Sequence, residues 1–365
     1  MKKILIVIGT RPEAIKMCPV IKALRNEKEF AVKTCSTGQH REMLNEVFDI
    51  FDEKIDYSLD IMKPMQTLAY ITGKLIEEID QILKKEKFDI VLVHGDTTTA
   101  YVAALAAFYN KVAIGHVEAG LRTYNMFSPY PEEFNRKSID LISSLYFAPT
   151  ELAKANLIKE GVDESKIYVT GNTAIDVLRY TIKENYYHEQ LKWCEGKRTI
   201  LLTSHRRENI GEPMRKMFGA LKRICDDFDD VRIIYPVHLN PKVREVANEV
   251  LGNCKRVRLI EPLNVVDFHN FMRNSYLILT DSGGIQEEAP ALDKPVLVMR
   301  DTTERPEGLE AGTLILVGTE EDTIYNKVAQ LLNDKEMYIN MCNAKNPYGD
   351  GHASERIVKI LRETR

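Results

Sequence analysis

The stretch Leu277-Ile-Leu-Thr-Asp281-Ser-Gly-Gly284-Ile-Gln-Glu-Glu288 decides how the rest of the chain is read. Its apolar run has strand character and breaks at Asp281 and Ser282. After two glycines, Ile285, Ala289 and Leu292 return at a spacing that suits a helix facing a sheet. The order is strand, tight turn, helix. Such a turn leaves backbone N–H groups at the positive end of a helix dipole, and glycines let an anion approach the main chain closely. A nucleotide diphosphate fits that chemistry, and an ordinary loop fits the same residues. The surrounding sequence has to decide.

On either side, short apolar runs alternate with longer amphipathic segments over the 365 residues, the pattern of strand-helix units around parallel sheets. The first half offers strands at Ile4–Ile8, Ala31–Thr37, Asp89–Val93, Val112–Val117, Leu145–Phe147 and Lys166–Val169. The second offers Thr199–Thr203, Val231–Tyr235, Arg256–Ile260, Tyr276–Leu279, Pro295–Val298 and Thr313–Leu316. Helical spacing is clearest over Thr67–Glu86, where Leu68, Ile71, Leu75, Ile79 and Leu83 share one face. Between Ile182 and Lys197 the apolar period is lost, so this stretch reads as a linker. The expected architecture is α/β, with two doubly wound Rossmann-like domains over 1–185 and 198–350. Ligands of such sheets bind beyond the carboxyl ends of the strands, which places the expected active site in a cleft between the halves.

Composition narrows the partners. A net charge of −4 gives no general attraction to nucleic acid or to an anionic membrane. The apolar run Ile4–Ile8 is too short for a signal peptide and is followed at once by Arg11, Glu13 and Lys16, so a buried first strand and a cytoplasmic protein are expected. Six scattered cysteines form no Cys-x-x-Cys pair and read as reduced thiols. His94/Asp96 and His116/Glu118 alternate along strand ends, but no thiolate or H-e-x-x-H pattern completes a metal site, and none is expected.

The chemistry-bearing residues sit where strands end. Gly9-Thr-Arg11-Pro-Glu13-Ala-Ile-Lys16 follows the first strand, and Pro12 suits the first turn of a helix carrying Arg11 and Lys16. Glu13 there reads as part of a capped helix with solvated charges. Asp96 follows the strand ending at Val93, where it could be only an N-cap. Glu118 closes the next strand beside a glycine and has no cap to make. Glu132 and Glu133 head a Pro-started helix, where the dipole alone would favour them. In the second half, His205-Arg206-Arg207 suits an anion, and Arg305 precedes Pro306. Carboxylates therefore gather on the first-half tips, while His205, Arg305 and the Ser-Gly-Gly turn gather on the second.

Taken together, these motifs resemble the non-hydrolysing UDP-N-acetylglucosamine 2-epimerases. The resemblance runs from Gly9-Thr-Arg-Pro-Glu-Ala-Ile-Lys through His94-Gly-Asp-Thr-Thr-Thr, His116-Val-Glu-Ala-Gly-Leu-Arg-Thr, Pro131-Glu-Glu, His205-Arg-Arg-Glu-Asn and Asp281-Ser-Gly-Gly-Ile-Gln-Glu-Glu-Ala-Pro to Arg300-Asp-Thr-Thr-Glu-Arg-Pro-Glu. It covers essentially the whole chain. It implies a GT-B-like glycosyltransferase architecture, a helix near 354–364 that completes the first domain, a homodimer, and interconversion of UDP-GlcNAc and UDP-ManNAc with no redox cofactor. By motif position it implies UDP-sugar contacts at Arg11, Lys16, Asp96, Glu118, His205, Phe268, Ser282, Gly283, Gly284, Glu288 and Arg305, and acid-base roles for Asp96, Glu118, Glu132 and His205. Gln39, His40, Gln66, Arg206 and His238 resemble a second, activating UDP-GlcNAc pocket of some bacterial relatives. Glu42 and Met65 depart from it, standing where those relatives carry Gln and Arg, and losing the Arg removes a bidentate phosphate contact.

The implied chemistry makes sense of the uneven tips. The C2 hydrogen of the sugar is not beside a carbonyl, so removing it while UDP leaves C1 avoids an unstabilised carbanion and gives 2-acetamidoglucal. Carboxylates can then flank the ring as base and acid, while cations and N–H groups hold UDP. A hydrolysing relative, a glycosyltransferase and a non-catalytic UDP-sugar sensor are the alternatives.

Overall fold

The computed structural model describes residues 1–38, 41–59, 61 and 66–364, and of 41–43 the backbone alone. Two compact units emerge, Met1–Val177 with Tyr348–Arg365, and Leu178–Pro347. In the first, among the described residues, β1 (Lys2–Ile8), β2 (Phe30–Ser36), β3 (Tyr57–Ser58), β4 (Ile90–His94), β5 (Ala113–Val117), β6 (Leu145–Ala148) and β7 (Ile167–Val169) form a parallel sheet in the order β3-β2-β1-β4-β5-β6-β7. The two-residue β3 was not expected, being too short to carry an alternation. In the second, β8 (Arg198–Thr203), β9 (Val231–Pro236), β10 (Val257–Ile260), β11 (Leu277–Thr280), β12 (Val296–Val298) and β13 (Leu314–Leu316) run β10-β9-β8-β11-β12-β13. No helix of the described residues is long and apolar enough to cross a membrane.

The strands are apolar without interruption because helices cover both sheet faces. In the second unit Ile200, Leu202, Leu277 and Leu279 enter one apolar cluster, while their neighbours Leu201 and Ile278 enter the other. Strand order reverses between β1 and β4 and again between β8 and β11. Crevices for ligands open at such switch points, beyond the carboxyl ends.

Two expectations shift. The stretch 182–197 belongs to the second unit: it contains the helix Glu189–Trp193, and Tyr186, Leu191 and Trp193 pack against the unit's core. Its anchors are irregularly spaced aromatics, which a periodicity search passes over. The guanidiniums of Arg232 and Arg258 both lie over the Trp193 ring, 5.2 and 4.4 Å from its centroid. The helix Leu68–Lys85 is capped by Thr67 and buries Leu75, Ile79 and Leu83, but Leu68 in its first turn is exposed. The C-terminal helix spans Ala353–Glu363, and its first N–H groups, from Ala353 and Ser354, are capped by Asp176 at 3.1 and 2.7 Å.

Candidate active site

The switch point of the first unit lies between the loops after β1 and β4. After β1, Thr10 caps the helix Arg11–Arg25 and forms a reciprocal capping box with Glu13. The Glu13 charge is not solvated as its position implied. Its carboxylate is buried and accepts from the Gly9 and Thr10 N–H groups at 3.1 and 2.6 Å and from Thr97 Oγ1 at 2.7 Å. Glu13 thus ties the two loops of the switch point together. Burial pushes its carboxyl up to about 7, against those hydrogen bonds. Between the unfolded value and about 7 the folded state holds a proton that the unfolded chain has lost, so this group makes stability fall as pH rises through that window. Glu13→Gln mimics the protonated acid. It should match the unsubstituted protein near pH 4.5 and exceed its stability by about 1–3 kcal/mol at pH 8 in urea denaturation; a less stable variant at pH 8 would show that the charged form is the one the fold prefers.

Asp96 is not a cap. Thr97 caps the helix Thr98–Tyr109, and the Asp96 carboxylate pairs with the Arg136 guanidinium, while Asn135 Nδ2 donates to the Asp96 carbonyl at 2.9 Å. The adjacent strand end is set by His116. Its Nδ1 and Nε2 lie 2.6 Å from Asp140 Oδ1 and 2.7 Å from the Gly95 carbonyl, which commits both ring nitrogens to holding the loop. Asp140 ionises below its usual range because, although burial opposes the charge, His116 and Arg122 outweigh it.

Glu118 then takes a left-handed backbone conformation, φ +66°, which a non-glycine residue adopts only when its surroundings enforce it. Its carboxylate accepts from Lys16 Nζ at 2.5 Å and Asn172 Nδ2 at 3.0 Å, and His94 Nε2 stands 3.7 Å away. Burial pushes His94 down to about 4, in spite of Glu118, so the ring is neutral near pH 7. Lys16, Asp96 and Glu118 are therefore gathered around the carboxyl ends of β1, β4 and β5. The two glutamates heading the helix Glu132–Ile142 differ. Glu133 is buried and spends its oxygens on the Thr123 and Tyr124 N–H groups and on Arg136. Among the described residues, neither the buried Oε2 of Glu132 nor the Nε of Arg11 has a hydrogen-bond partner. Gln66 Nε2 donates to the Ile61 carbonyl at 2.5 Å. Gln39, His40 and Met65, and the side chain of Glu42, lie outside the described residues.

In the second unit the switch point is organised by Asp281, which is fully buried. Its carboxylate accepts from the His205 and Arg206 N–H groups at 2.9 and 3.0 Å, Ser204 Oγ at 3.1 Å and Asn209 Nδ2 at 3.2 Å. The loop after β8 is thereby fastened to the loop after β11. The His205 ring remains partly exposed and stacks on His238 with centroids 5.4 Å apart, while Arg206 Nε donates to the Asp281 carbonyl at 2.8 Å. Burial, reinforced by His205, lowers the His238 pKa.

The Ser-Gly-Gly turn is more open and its helix shorter than expected. The Ser282 N–H is turned back to Thr280 Oγ1 at 2.9 Å. A Cβ at Gly283 would meet nothing within 4 Å, one at Gly284 only Glu288 Oε1 at 3.9 Å, and neither glycine has positive φ. Neither is demanded by packing or by backbone strain, so what their bareness provides is accessible main chain. The helix Ile285–Glu288 gives way to a 3₁₀ turn, Ala289–Leu292, because Pro290 has no N–H to continue it. Glu288 lies 3.6 Å from His269 Nε2, Phe268 packs half-buried against the core, and Arg305 Nε pairs with the buried Glu287. Nearby, Glu304 ionises at about 2, since Arg300 outweighs the cost of its burial.

Sequence reasoning missed the groups that hold these residues in place: Arg136 against Asp96, His116 against the Gly95 carbonyl, Asn172 against Glu118, and Asp281 beneath His205. Each is separated from its partner by more than twenty residues along the chain, so no local pattern announces it.

Comparison with known proteins agrees with the motifs. The family model described as UDP-N-acetylglucosamine 2-epimerase matches residues 22–362. The UDP-N-acetylglucosamine 2-epimerase of Bacillus subtilis is 56% identical over 359 residues, 98% of this chain and 94% of its own. The MnaA protein of Staphylococcus aureus, solved as a co-structure with UDP, is 53% identical with a TM-score of 0.91, covering 99% of this chain and 96% of that one. The Neisseria meningitidis UDP-GlcNAc 2-epimerase bound to UDP-GlcNAc is 47% identical with a TM-score of 0.90, over 99% and 100% of the two chains. With both sheets doubly wound and Rossmann-like, as in the GT-B class, and the match running through nearly every residue, the chain belongs to the UDP-N-acetylglucosamine 2-epimerase family.

Proposed function

We propose that the chain interconverts UDP-GlcNAc and UDP-ManNAc without hydrolysis, by anti elimination of UDP to 2-acetamidoglucal and re-addition to the opposite face. The observation that carries this reading is the division of chemistry between the units. Strand ends of the first hold Asp96 against Arg136 and Glu118 against Lys16, with Glu132 at the head of the helix that carries Arg136 and keeping a buried oxygen that has no hydrogen-bond partner among the described residues. Those of the second hold His205, Arg305 and bare main chain at Gly283 and Gly284. Epimerisation at an unactivated C2 needs one group to take its proton and another to return it from the far side, which is work for carboxylates. Departure of UDP needs stabilised negative charge, which is work for Arg, His and backbone N–H. A sensor has no need of the first set, and a transferase would leave C2 unchanged.

The test is proton NMR of UDP-GlcNAc incubated with the enzyme in deuterated water. UDP-ManNAc with deuterium at C2 is the expected product. Free ManNAc and UDP would identify a hydrolysing enzyme, and an epimer retaining its C2 proton would exclude the elimination. For Arg305→Ala we expect UDP affinity by calorimetry to fall on the order of tenfold to a hundredfold, since a guanidinium matches phosphate oxygens in pairs; unchanged affinity would remove Arg305 from the phosphate site.

A further inference from the structure

We propose that Asn172 is a positioning residue for Glu118, aiming its carboxylate from the place where the chain crosses out of the first unit and back. The inference rests on the assignment of Glu118 to the sugar chemistry. Asn172 follows β7 and precedes the helix Thr173–Thr181, which carries the chain across the boundary at Val177 and Leu178. It is buried, and each of its polar groups has a defined task. The backbone N–H donates to the carbonyl of Tyr348, the residue at which the chain re-enters the first unit, at 2.7 Å. The side-chain oxygen accepts from the Ala174 N–H at 2.9 Å, and Nδ2 donates to Glu118 Oε2 at 3.0 Å.

This arrangement leaves the amide no freedom to flip. An N–H donor at Ala174 requires the oxygen there, so the NH₂ must face Glu118. The backbone beneath it is equally constrained. Gly171 has φ +88° and Gly349 φ +135°, and a Cβ on either would lie 3.3 to 3.4 Å from the other's Cα. Two glycines in contact let the outgoing and returning segments approach closely enough for the 2.7 Å bond to Tyr348. Glu118 itself sits in a strained backbone conformation and has Lys16 as its charged partner. A lysine on a flexible stem neutralises a carboxylate without fixing its direction; a short, buried amide fixes it. Misplacement of a catalytic group by about 1 Å can cost on the order of a hundredfold in rate.

Asn172→Ser separates positioning from structure. The serine hydroxyl can accept from the Ala174 N–H as the amide oxygen does, so the start of the helix is preserved, but the side chain is too short to reach Glu118 and brings no charge beside it. The variant is expected to keep its melting temperature and a KM for UDP-GlcNAc within about threefold, while kcat and the rate of deuterium entry at C2 fall roughly ten- to a hundredfold. Asn172→Ala should lose kcat similarly and lose thermal stability as well. Glu118→Gln is run alongside. If it is inactive and Asn172→Ser turns over at the unsubstituted rate, or changes only KM and melting temperature, the positioning role is overturned and the site stands. If Glu118→Gln is itself fully active, the site reading fails and this inference with it.

Discussion

Glu118→Gln is expected to lower kcat by about 10³-fold or more while UDP affinity stays within about threefold. The substitution keeps the shape of the side chain and leaves Asn172 Nδ2 and Lys16 Nζ within reach of an oxygen, so folding has little reason to change. What disappears is the ability to exchange a proton. UDP binding should survive because the groups proposed to hold it, His205, Gly283, Gly284 and Arg305, are fastened within the other unit by Asp281 and Glu287. Asp96→Asn should behave alike, each variant also losing the charge opposite its cation, Lys16 for Glu118 and Arg136 for Asp96. Turnover in both variants within tenfold of the unsubstituted enzyme, measured by NMR, would sink the assignment of these carboxylates to the chemistry.

The fold was largely legible because parallel strands buried on both faces must be apolar at every position. Ile200, Leu201 and Leu202 read as a strand for the same reason that they enter two different clusters. The tips were legible because charged residues and glycines interrupt those runs abruptly. What lay beyond the sequence was pairing at a distance. Glu13 reads as a solvated charge at a helix start, and only the three-dimensional meeting of the β1 and β4 loops makes it a buried link to Thr97. Asn172, in the uncharged run Thr170-Gly-Asn-Thr173, offers no local signal that its amide meets Glu118. Leu68 matches the period of its helix and is nevertheless exposed, since periodicity gives the apolar face and not how far the covering layer extends.

Asp281→Asn is expected to destabilise the protein by about 2–4 kcal/mol and to remove most UDP binding, although Asp281 is proposed to touch no substrate. Its carboxylate is fully buried and, among the described residues, hydrogen-bonds to donors alone: Ser204 Oγ, two backbone N–H groups, and Asn209 Nδ2, with His205 Nδ1 3.5 Å from the other oxygen. An anion suits that shell because hydrogen bonds to a charged acceptor are roughly twice as strong as neutral ones. An asparagine must turn an NH₂ toward donors in one of its two orientations, and in either it brings no charge. The loop carrying His205 then keeps the brace from Tyr235 Oη, which donates to the Ser204 carbonyl at 2.6 Å, and the Arg206 Nε bond to the main-chain carbonyl of residue 281, but loses the charged acceptor that fastens its own N–H groups to the turn that carries Gly283 and Gly284. Because one carboxylate holds both halves of the proposed diphosphate grip, affinity and stability should fall together. The melting temperature should drop by roughly 5–15 °C for a unit of this size. Ser204→Ala, which removes a single donor, should cost less than about 1.5 kcal/mol and leave UDP binding nearly intact. Calorimetry with UDP and thermal denaturation of both variants decide the matter: Asp281→Asn with unchanged melting temperature and unchanged UDP affinity would mean that the His205 loop is held by something other than this carboxylate.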